Sequence, residues 1–259
     1  MSQIANYSQA VYLLSARDLK QRSAGSYLGW LWLVLQPAFM LLIYTFVFGV
    51  ILKVRFQTGS GTGDFALYLM AGLFPFNAFR EAADRSTSSL TSNRQLIQRV
   101  VFPPVLLPLV VSMTSLVTEI AGLAIVALAV LVMGEGLTPW VLMFPLLMLA
   151  RFLLNLGVGW VLSVLNVFFR DMNQLIGMLL TLLFFGTPII YPASLVPEKW
   201  VWIYKLNPFY HLVSAYRSIF IEGIPPEVGF YIVLVLSAVI ALLGLVFFSK
   251  TLDRAKDLL

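Results

Sequence analysis

Six apolar runs alternate with more polar segments along the chain. They cover residues 30–52, 65–79, 104–133, 140–169, 174–190 and 229–249. About 20 apolar helical residues cross a hydrocarbon core of about 30 Å, so the pattern predicts six transmembrane helices. The run 65–79 is short, so this span either extends into its flanks or lies inside the bundle against the other helices. The sequence thus predicts an all-α polytopic membrane protein with a single transmembrane domain, 1–259.

The first 29 residues have the pattern of an amphipathic helix. Apolar side chains recur every three or four positions, at Ile4, Tyr7, Val11 and Leu14. This periodicity predicts a helix lying in the membrane interface. A helix that packs on a partner protein would have the same periodicity, and this alternative stays open.

The polar loop 80–103 after the second run contains a second amphipathic pattern. The loop mixes four arginines with Ser, Thr and Asn93, its apolar positions Leu96, Ile97, Val100 and Val101 lie near its end, and it ends at Pro103-Pro104. Proline cannot continue a helix, so we expect a short helix from about 93 to 101. Its apolar positions favour a docking surface over a solvated linker.

The segment 191–228 between the last two runs is too apolar for a loop in water and too interrupted for a span. Pro197 and Pro208 divide it into pieces of re-entrant or interfacial length, and each proline is suited to begin a helix, with Asn207 as the cap before the second. Broken helices at membrane depth occur where protein buries them or where they line a water-filled cavity. The pattern therefore indicates a channel, with an ordinary aromatic belt as the alternative for any single Trp or Tyr.

Charge sets the expected orientation. The chain is 60% hydrophobic and 11% charged, against about 25% charged in soluble domains, which excludes a water-soluble protein. Counting Lys and Arg outside the runs gives eleven on the side of the termini and five on the other side. The positive-inside rule then places both termini, including the tail 250–259, in the cytoplasm.

Catalytic and metal-binding patterns are absent from the sequence. There is no cysteine, one histidine, no GxxxxGK[ST] phosphate loop and no HExxH, and GSGTGD at 59–64 is typical of an outer loop. We expect no enzyme activity, no ATP site, no metal site, no cofactor and no nucleic-acid partner. Two ionisable residues, Glu119 and Arg151, interrupt apolar runs at comparable depth. This predicts an ion pair or a water-bridged contact, unless both face the channel or each snorkels separately.

Three stretches resemble one protein family. They are RDLKQRSAGSYLGWLWLVLQP (17–37), NRQLIQRVVFPPVLLPL (93–109) and FFRDMNQLIGMLLTLLFFGTPIIYPASLVPEKWVWIYKLNPFYHLVSAYRS (168–218). Their order and spacing resemble the membrane subunits of bacterial ABC exporters for O-antigen, capsular and teichoic-acid polysaccharides. The resemblance implies a homodimer of six-span subunits in the bacterial inner membrane. It also implies an N-terminal interface helix, a cytoplasmic coupling helix after span two and two short re-entrant helices before span six.

The resemblance further implies export of polyprenyl-diphosphate-linked polysaccharide through a channel between two subunits, driven by two separate ATP-binding subunits that hold ATP and Mg. Sugar rings stack on aromatic side chains, so the candidate channel residues are Trp30, Trp32, Tyr44, Phe184, Phe185 and Tyr191. The candidate cations for the lipid diphosphate are Arg17, Lys20 and Arg22. The candidate contacts to the ATP-binding subunit are Asn93, Arg94, Leu96, Ile97, Arg99, Arg170 and Asp171. Asp171 is also expected to form a structural pair or a helix cap.

Other functions remain open at this point. An ABC exporter of teichoic acid, capsule, simple lipids or drugs would share the architecture. A membrane-embedded glycosyltransferase would need paired acidic residues for metal-diphosphate chemistry, which the sequence lacks. An ion-coupled carrier is disfavoured because no internal repeat is evident and few charges are buried.

Overall fold

A computed structural model describes residues 2–22, 25–51, 64–99, 102–134, 136–193 and 196–259, with the side chains of 2–6, 64 and 99 excepted. The predicted outer loop 59–64 lies almost wholly outside these residues, as do Val100 and Val101. Within the described part, every regular element is helical. The predicted all-α class is therefore confirmed.

Eleven α-helices are described. They are α1 Ser2–Arg22, α2 Trp32–Tyr44, α3 Asp64–Thr87, α4 Ser89–Ser92, α5 Arg94–Arg99, α6 Leu106–Val132, α7 Phe144–Phe168, α8 Met172–Phe185, α9 Val201–Leu206, α10 Pro208–Arg217 and α11 Val228–Leu258. Short 3-10 turns lead into α2, α7 and α9. Seven residues of π-helix, Thr45–Ile51, extend α2, and a π-turn, Ser218–Glu222, extends α10.

Four helical stretches of the described chain are long and apolar enough to cross a membrane. They are Gly29–Ile51, Leu106–Val132, Pro139–Phe168 and Val228–Leu258, with Met172–Phe185 as a shorter apolar helix. The four long stretches agree with four of the predicted runs except at the end of α11, and α8 ends earlier than the predicted run 174–190. The helix α8 ends at Phe185, before Gly186 and Pro188, because proline cannot continue a helix. The helix α11 continues nine residues past the predicted end at 249, because its charged last turns contain no Gly or Pro.

The helix α3 lies at the centre of the bundle. Most of its side chains from Phe65 to Ala83 are buried, and they form the middle of a large apolar core that also includes residues of α6, α7, α8 and α10. The expectation that the short second run packs inside the bundle is thus confirmed. The helix α2 is the opposite case, because Pro37 is the one buried residue that its described stretch contains.

The helices α7 and α11 cross with their backbones in close contact. A Cβ added to Gly157 of α7 would lie 2.7 Å from the backbone nitrogen of Ala241, and a Cβ on Gly244 would lie 2.7 Å from the Gly157 Cα. Small residues at a helix crossing in a membrane allow the backbones to approach and gain dispersion contacts. This crossing fixes the position of α11 relative to the core.

The Gly157→Ala variant is expected to lose stability by about 1–3 kcal/mol, because the added methyl group meets backbone that cannot rotate away. The matched control is Gly177→Ala in α8, where an added Cβ meets no atom within 4 Å. It is expected to be neutral or stabilising by up to about 1 kcal/mol, since alanine favours a helix more than glycine does. Thermal unfolding midpoints of the purified proteins in detergent check both signs, and equal midpoints would contradict the prediction.

Candidate functional site

A cavity of about 950 Å³ lies between the exposed helix α2 and the core. The end of α1, the start of α2, the second half of α3 and the middle of α8 form its walls. Its lining combines apolar and polar side chains, among them Trp30, Trp32, Gln36, Asn77 and Arg80. A cavity of this size admits a ligand with both apolar and polar parts.

Two of the six predicted channel residues line this cavity. Trp30 is 69% exposed, and Trp32 is held by a hydrogen bond from its Nε1 to Ser26 Oγ at 2.9 Å. Both indole rings stand where α2 begins. The two rings therefore present aromatic surface at the mouth of the cavity.

The other four predicted channel residues lie elsewhere in the described chain. Tyr44 stacks on Phe48 at a ring-centroid distance of 6.0 Å and packs against the core. The ring centroids of Phe184 and Phe76 are 5.4 Å apart, while Phe185 is exposed. The Tyr191 hydroxyl donates to Phe185 O at 2.7 Å and lies 3.2 Å from the Tyr204 hydroxyl. A single subunit therefore does not bring the six aromatic residues into one surface.

A four-residue ion network closes one side of the cavity, joining α1 to α3. Arg22 Nη1 lies 2.7 Å from Glu81 Oε1, and Arg85 Nη1 lies 3.2 Å from the same oxygen. Asp18 accepts from Arg85 and, at 3.4 Å, from Arg22 Nε. Arg22 Nη2 also donates to Thr114 Oγ1 of α6 at 2.9 Å. Sequence reasoning missed Asp18, Glu81 and Arg85, although Asp18 to Arg22 and Glu81 to Arg85 have the i,i+4 spacing of helical ion pairs.

Arg22 therefore anchors α1 to α3 and α6. Burial lowers the pKa of its guanidinium from the ordinary value, and the carboxylates of Glu81 and Asp18 oppose that shift. Arginine stays protonated in proteins, so the network keeps its charge at neutral pH. All three of its nitrogen donors are engaged within the protein, which leaves Arg22 poorly placed to hold a ligand anion.

The predicted cationic trio is divided between two sites. Lys20 lines the large cavity together with Arg22, whereas Arg17 lines a second groove of about 240 Å³ on the other side of α1. Arg80, which the sequence interpretation did not single out, also lines the large cavity and is exposed. No ion-pair partner of Arg80 is found among the described residues. Its position at the end of the second apolar run was the sequence signal that could have identified it.

The second groove runs between α1 and residues 89–99, called the coupling segment because they contain the predicted coupling helix. Its lining includes Leu14 and Arg17 of α1, Asn93 and Leu96 of the segment, and Val110 of α6. Asn93 ends α4, and its Nδ2 donates to Ser89 O at 2.9 Å. The two amphipathic segments predicted from the sequence therefore form the walls of one groove.

The helix α5 divides the predicted coupling residues by exposure. Leu96 and Ile97 are half-buried and pack against an apolar cluster, whereas Arg94, Gln95 and Gln98 are exposed. The side chain of Arg99 lies outside the described residues. The outward face of α5 is therefore polar, and its apolar residues stabilise the segment from within.

Arg170 and Asp171 are exposed in the turn between α7 and α8. Asp171 is the N-cap residue of α8, but its side chain makes no capping hydrogen bond, and no ion pair links it to Arg170 among the described contacts. The expected cap position of Asp171 is therefore confirmed, but the cap acts through the backbone carbonyl, which accepts from Gln174 N and Leu175 N at 3.1 Å.

Glu119 and Arg151 are in contact in the interior. Arg151 Nε donates to Glu119 Oε2 at 2.7 Å, and both side chains are fully buried. Arg151 Nη1 donates to Ser115 Oγ and Asn155 Oδ1, each at 3.1 Å. The Tyr216 hydroxyl of α10 donates to the other oxygen of Glu119. The predicted pair is thus the centre of a network that ties α10 to α6 and α7.

The next residue along α10, Arg217, is a second buried anchor. Its Nη1 and Nη2 donate to Pro188 O and Ile189 O, each at 2.7 Å, and its Nε donates to Tyr68 O at 3.0 Å. The guanidinium carbon also lies 3.6 Å from the Tyr68 ring centroid. Pro188 and Ile189 follow the break after α8, so Arg217 supplies donors to carbonyls that an uninterrupted helix would have satisfied.

Asn207 makes a similar link before α10. Its Oδ1 accepts from Phe209 N at 2.9 Å, which confirms it as the cap, and its Nδ2 donates to Thr187 Oγ1 at 2.8 Å. Pro208 begins α10 as predicted. Pro197 instead precedes the 3-10 turn Glu198–Trp200, because its ψ of 139° is extended, and its carbonyl accepts from Trp200 N at 2.8 Å.

Arg151→Met is expected to destabilise the protein by about 3–5 kcal/mol, because it leaves the Glu119 carboxylate buried without a cation. The double variant Glu119→Gln/Arg151→Met is expected to recover most of that loss, since no uncompensated charge remains. Equilibrium unfolding in mixed micelles of the parent, both single variants and the double variant measures the coupling free energy. Additive effects of the two substitutions would contradict a direct interaction.

Arg217→Lys is expected to lower stability by about 1–3 kcal/mol, because one ammonium cannot reach the carbonyls that the planar guanidinium joins. The control is Arg254→Lys, an exposed position near the end of α11. The same unfolding measurement checks the prediction, and an unchanged midpoint for Arg217→Lys would contradict it.

Comparisons with known proteins place this chain in a family. The family model for the ABC-2 type transporter matches residues 9–221. An O-antigen export system permease protein, RfbA, of Klebsiella pneumoniae is 30% identical over 250 residues, which cover 95% of this chain and 93% of the relative. Its namesake in Myxococcus xanthus is 30% identical over 87% of this chain and 85% of the relative. The polysialic acid transport protein KpsM of Escherichia coli is 27% identical over 82% and 81%.

The matched region contains the described cavity, the coupling segment and both buried anchors. The family resemblance that the sequence motifs carry is thereby confirmed, and with the four long apolar helices it identifies a multi-pass membrane protein. The chain belongs to the ABC-2 type transporter membrane family.

Proposed function

We propose that the chain is the permease subunit of an ATP-driven exporter of lipid-linked polysaccharide of the O-antigen type. It acts as a homodimer in the bacterial inner membrane, together with two ATP-binding subunits that hold ATP and Mg. The observation that carries the proposal is the cavity of about 950 Å³, with aromatic and cationic side chains in its wall. The similarity to O-antigen permeases over 95% of the chain supports the substrate class.

The cavity has the chemistry that an amphiphilic glycolipid requires. Trp30 and Trp32 offer aromatic faces on which sugar rings stack, and Gln36 and Asn77 offer hydrogen-bond partners for hydroxyl groups. Lys20 and Arg80 offer cations for a diphosphate. Arg22 supports this site from behind by holding α1 in place, and Arg17 has no part in it.

Six spans with both termini in the cytoplasm complete the proposed layout. The buried helix α3 would be about 36 Å long at 1.5 Å per residue, enough to cross the membrane. The helix α8 would be about 21 Å long, so its crossing is completed by the segment that follows its break. The helices α9 and α10 would then be the re-entrant pair on the outer side. The excess of Lys and Arg on the side of α1, α4, α5 and the end of α11 supports the orientation.

The ATP-binding subunit is proposed to dock on the face that contains α5 and the turn 169–171. Asn166 Nδ2 of α7 lies 3.4 Å from Thr91 Oγ1 of α4, so the two segments end on the same side of the molecule. The exposed residues Arg94, Gln95, Arg170 and Asp171 would make the contacts. The similarity to a polysialic acid transporter makes capsular polysaccharide the second candidate substrate.

Arg80→Gln is expected to raise the concentration of lipid-linked polysaccharide that half-maximally stimulates ATP hydrolysis by about tenfold or more, because a hydrogen bond to a charged group contributes about 1.5–3 kcal/mol. The measurement uses the complete transporter in proteoliposomes with purified lipid-linked polysaccharide.

The control for this experiment is Arg17→Gln, whose side chain lines the second groove. It is expected to leave the half-maximal concentration within about twofold of the parent, whatever its effect on the maximal rate. Equal half-maximal concentrations for Arg80→Gln and the parent would contradict the assignment of Arg80. A parent transporter whose ATP hydrolysis does not respond to lipid-linked polysaccharide would contradict the proposed function itself.

A further inference from the structure

The end of α11 beyond residue 249 is an amphipathic helix with one buried face. Phe248, Leu252, Ala255 and Leu259 follow each other at intervals of four, three and four residues, the spacing of one helix face. Ala255 is fully buried and Leu259 is 5% exposed, whereas the neighbouring Leu258 is 60% exposed. An end that only trailed into solvent would not bury one of two adjacent leucines and expose the other.

The buried face of this helix end belongs to the same apolar cluster as the coupling segment, residues 89–99. The buried members of the cluster are Leu90, Leu107, Leu156, Trp160, Val164, Phe248, Ala255 and Leu259, and Leu96, Ile97 and Leu252 pack against them. Leu90 is the fully buried residue of the four-residue helix α4. The coupling segment therefore packs on this apolar cluster, called the base below, to which α11 contributes.

Two polar contacts from α7 hold the same base. Trp160 Nε1 donates to Val105 O at 3.0 Å, just past Pro103-Pro104 where the coupling loop ends. Asn166 contacts Thr91 of α4 as described above. Since α7 and α11 are in backbone contact at Gly157 and Gly244, the base is continuous with a closely packed helix pair.

We infer that the cytoplasmic end of α11, through Ala255 and Leu259, positions the coupling segment for the ATP-binding subunit. This inference rests on the proposed function, because it assumes that α5 contacts that subunit. A displacement of α5 by ATP binding then acts on α7 and α11 together, because closely packed side chains transmit a shift and do not absorb it. The helix end is a positioning element and makes no contact with substrate.

Crosslinking tests this inference with one thiol. The 259 residues contain no cysteine, so Gln95→Cys on the exposed face of α5 gives a site unique within this chain, and this chain is labelled with a thiol-directed photocrosslinker before assembly with the ATP-binding subunits. In the complete transporter, adding Leu259→Ala is expected to lower crosslinking to the ATP-binding subunit about three- to tenfold, the range that positions along a coupling network produce. The polysaccharide exported per ATP hydrolysed is expected to fall with it, at equal amounts of assembled transporter.

The control is Leu258→Ala, the adjacent leucine that faces outward. It is expected to leave both measurements unchanged. Crosslinking present in the parent and unaltered by Leu259→Ala would overturn the inference and leave the proposed function standing. Absence of any crosslink in the parent would overturn both.

A second measurement does not require removal of a packed side chain. Spin labels at Gln95→Cys and Lys256→Cys, both exposed positions, report the separation of α5 and the end of α11. If the two form one positioning unit, this distance stays within about 2 Å with and without ATP. A larger change on ATP binding would overturn the inference even if the Leu259 variant failed to assemble.

Discussion

A helix that stops inside a membrane protein leaves backbone carbonyls without donors, and no solvent is available in hydrocarbon to replace them. The break after α8 depends on this constraint. Arg217 donates to Pro188 O and Ile189 O, while Asn207 donates to Thr187 Oγ1 and caps α10. The chain can turn back at this depth because a guanidinium with five donors is buried beside it. The path of the chain between α8 and α10 therefore depends on Arg217 together with Asn207.

Two consecutive residues fix α10 in two different directions. Tyr216 reaches Glu119 and thereby the Arg151 pair on α6 and α7, whereas Arg217 reaches α3 and the break after α8. Neighbouring side chains on a helix point about 100° apart, so adjacent residues of α10 bond to different neighbouring helices. The preceding helix α9 contains no buried residue, and its Trp202 and Leu206 are exposed. Of these two short helices, α10 is therefore built into the core and α9 is not.

Periodicity and proline positions were enough to predict the long helices, the Asn207 cap and the contact between Glu119 and Arg151, because each depends on local spacing or on the cost of burying a charge. The predicted sites were less accurate, because residue spacing does not show which cations are already engaged in ion pairs or hydrogen bonds within the protein. Arg22 proved to be held by Glu81 and Asp18, and Arg217, counted at first as an orientation signal, proved to be a buried donor. Arg80 became a candidate only once the structure placed it in the cavity wall without an ion pair among the described contacts.

The arginines of the described chain fall into two groups, those that hold helices together and those without an ion pair. Four arginines hold helices together through ion pairs to carboxylates or hydrogen bonds to backbone carbonyls. They are Arg22, Arg85, Arg151 and Arg217. A ligand anion competes poorly for a guanidinium whose donors are already engaged, since binding would leave buried partners unsatisfied. Arg80 has no such commitment among the described residues, and it stands in the cavity that Trp30 and Trp32 border. In the proposed function, an anionic glycolipid would therefore bind Arg80 next to the aromatic rings of Trp30 and Trp32. The ion pairs that hold the helices together would stay intact.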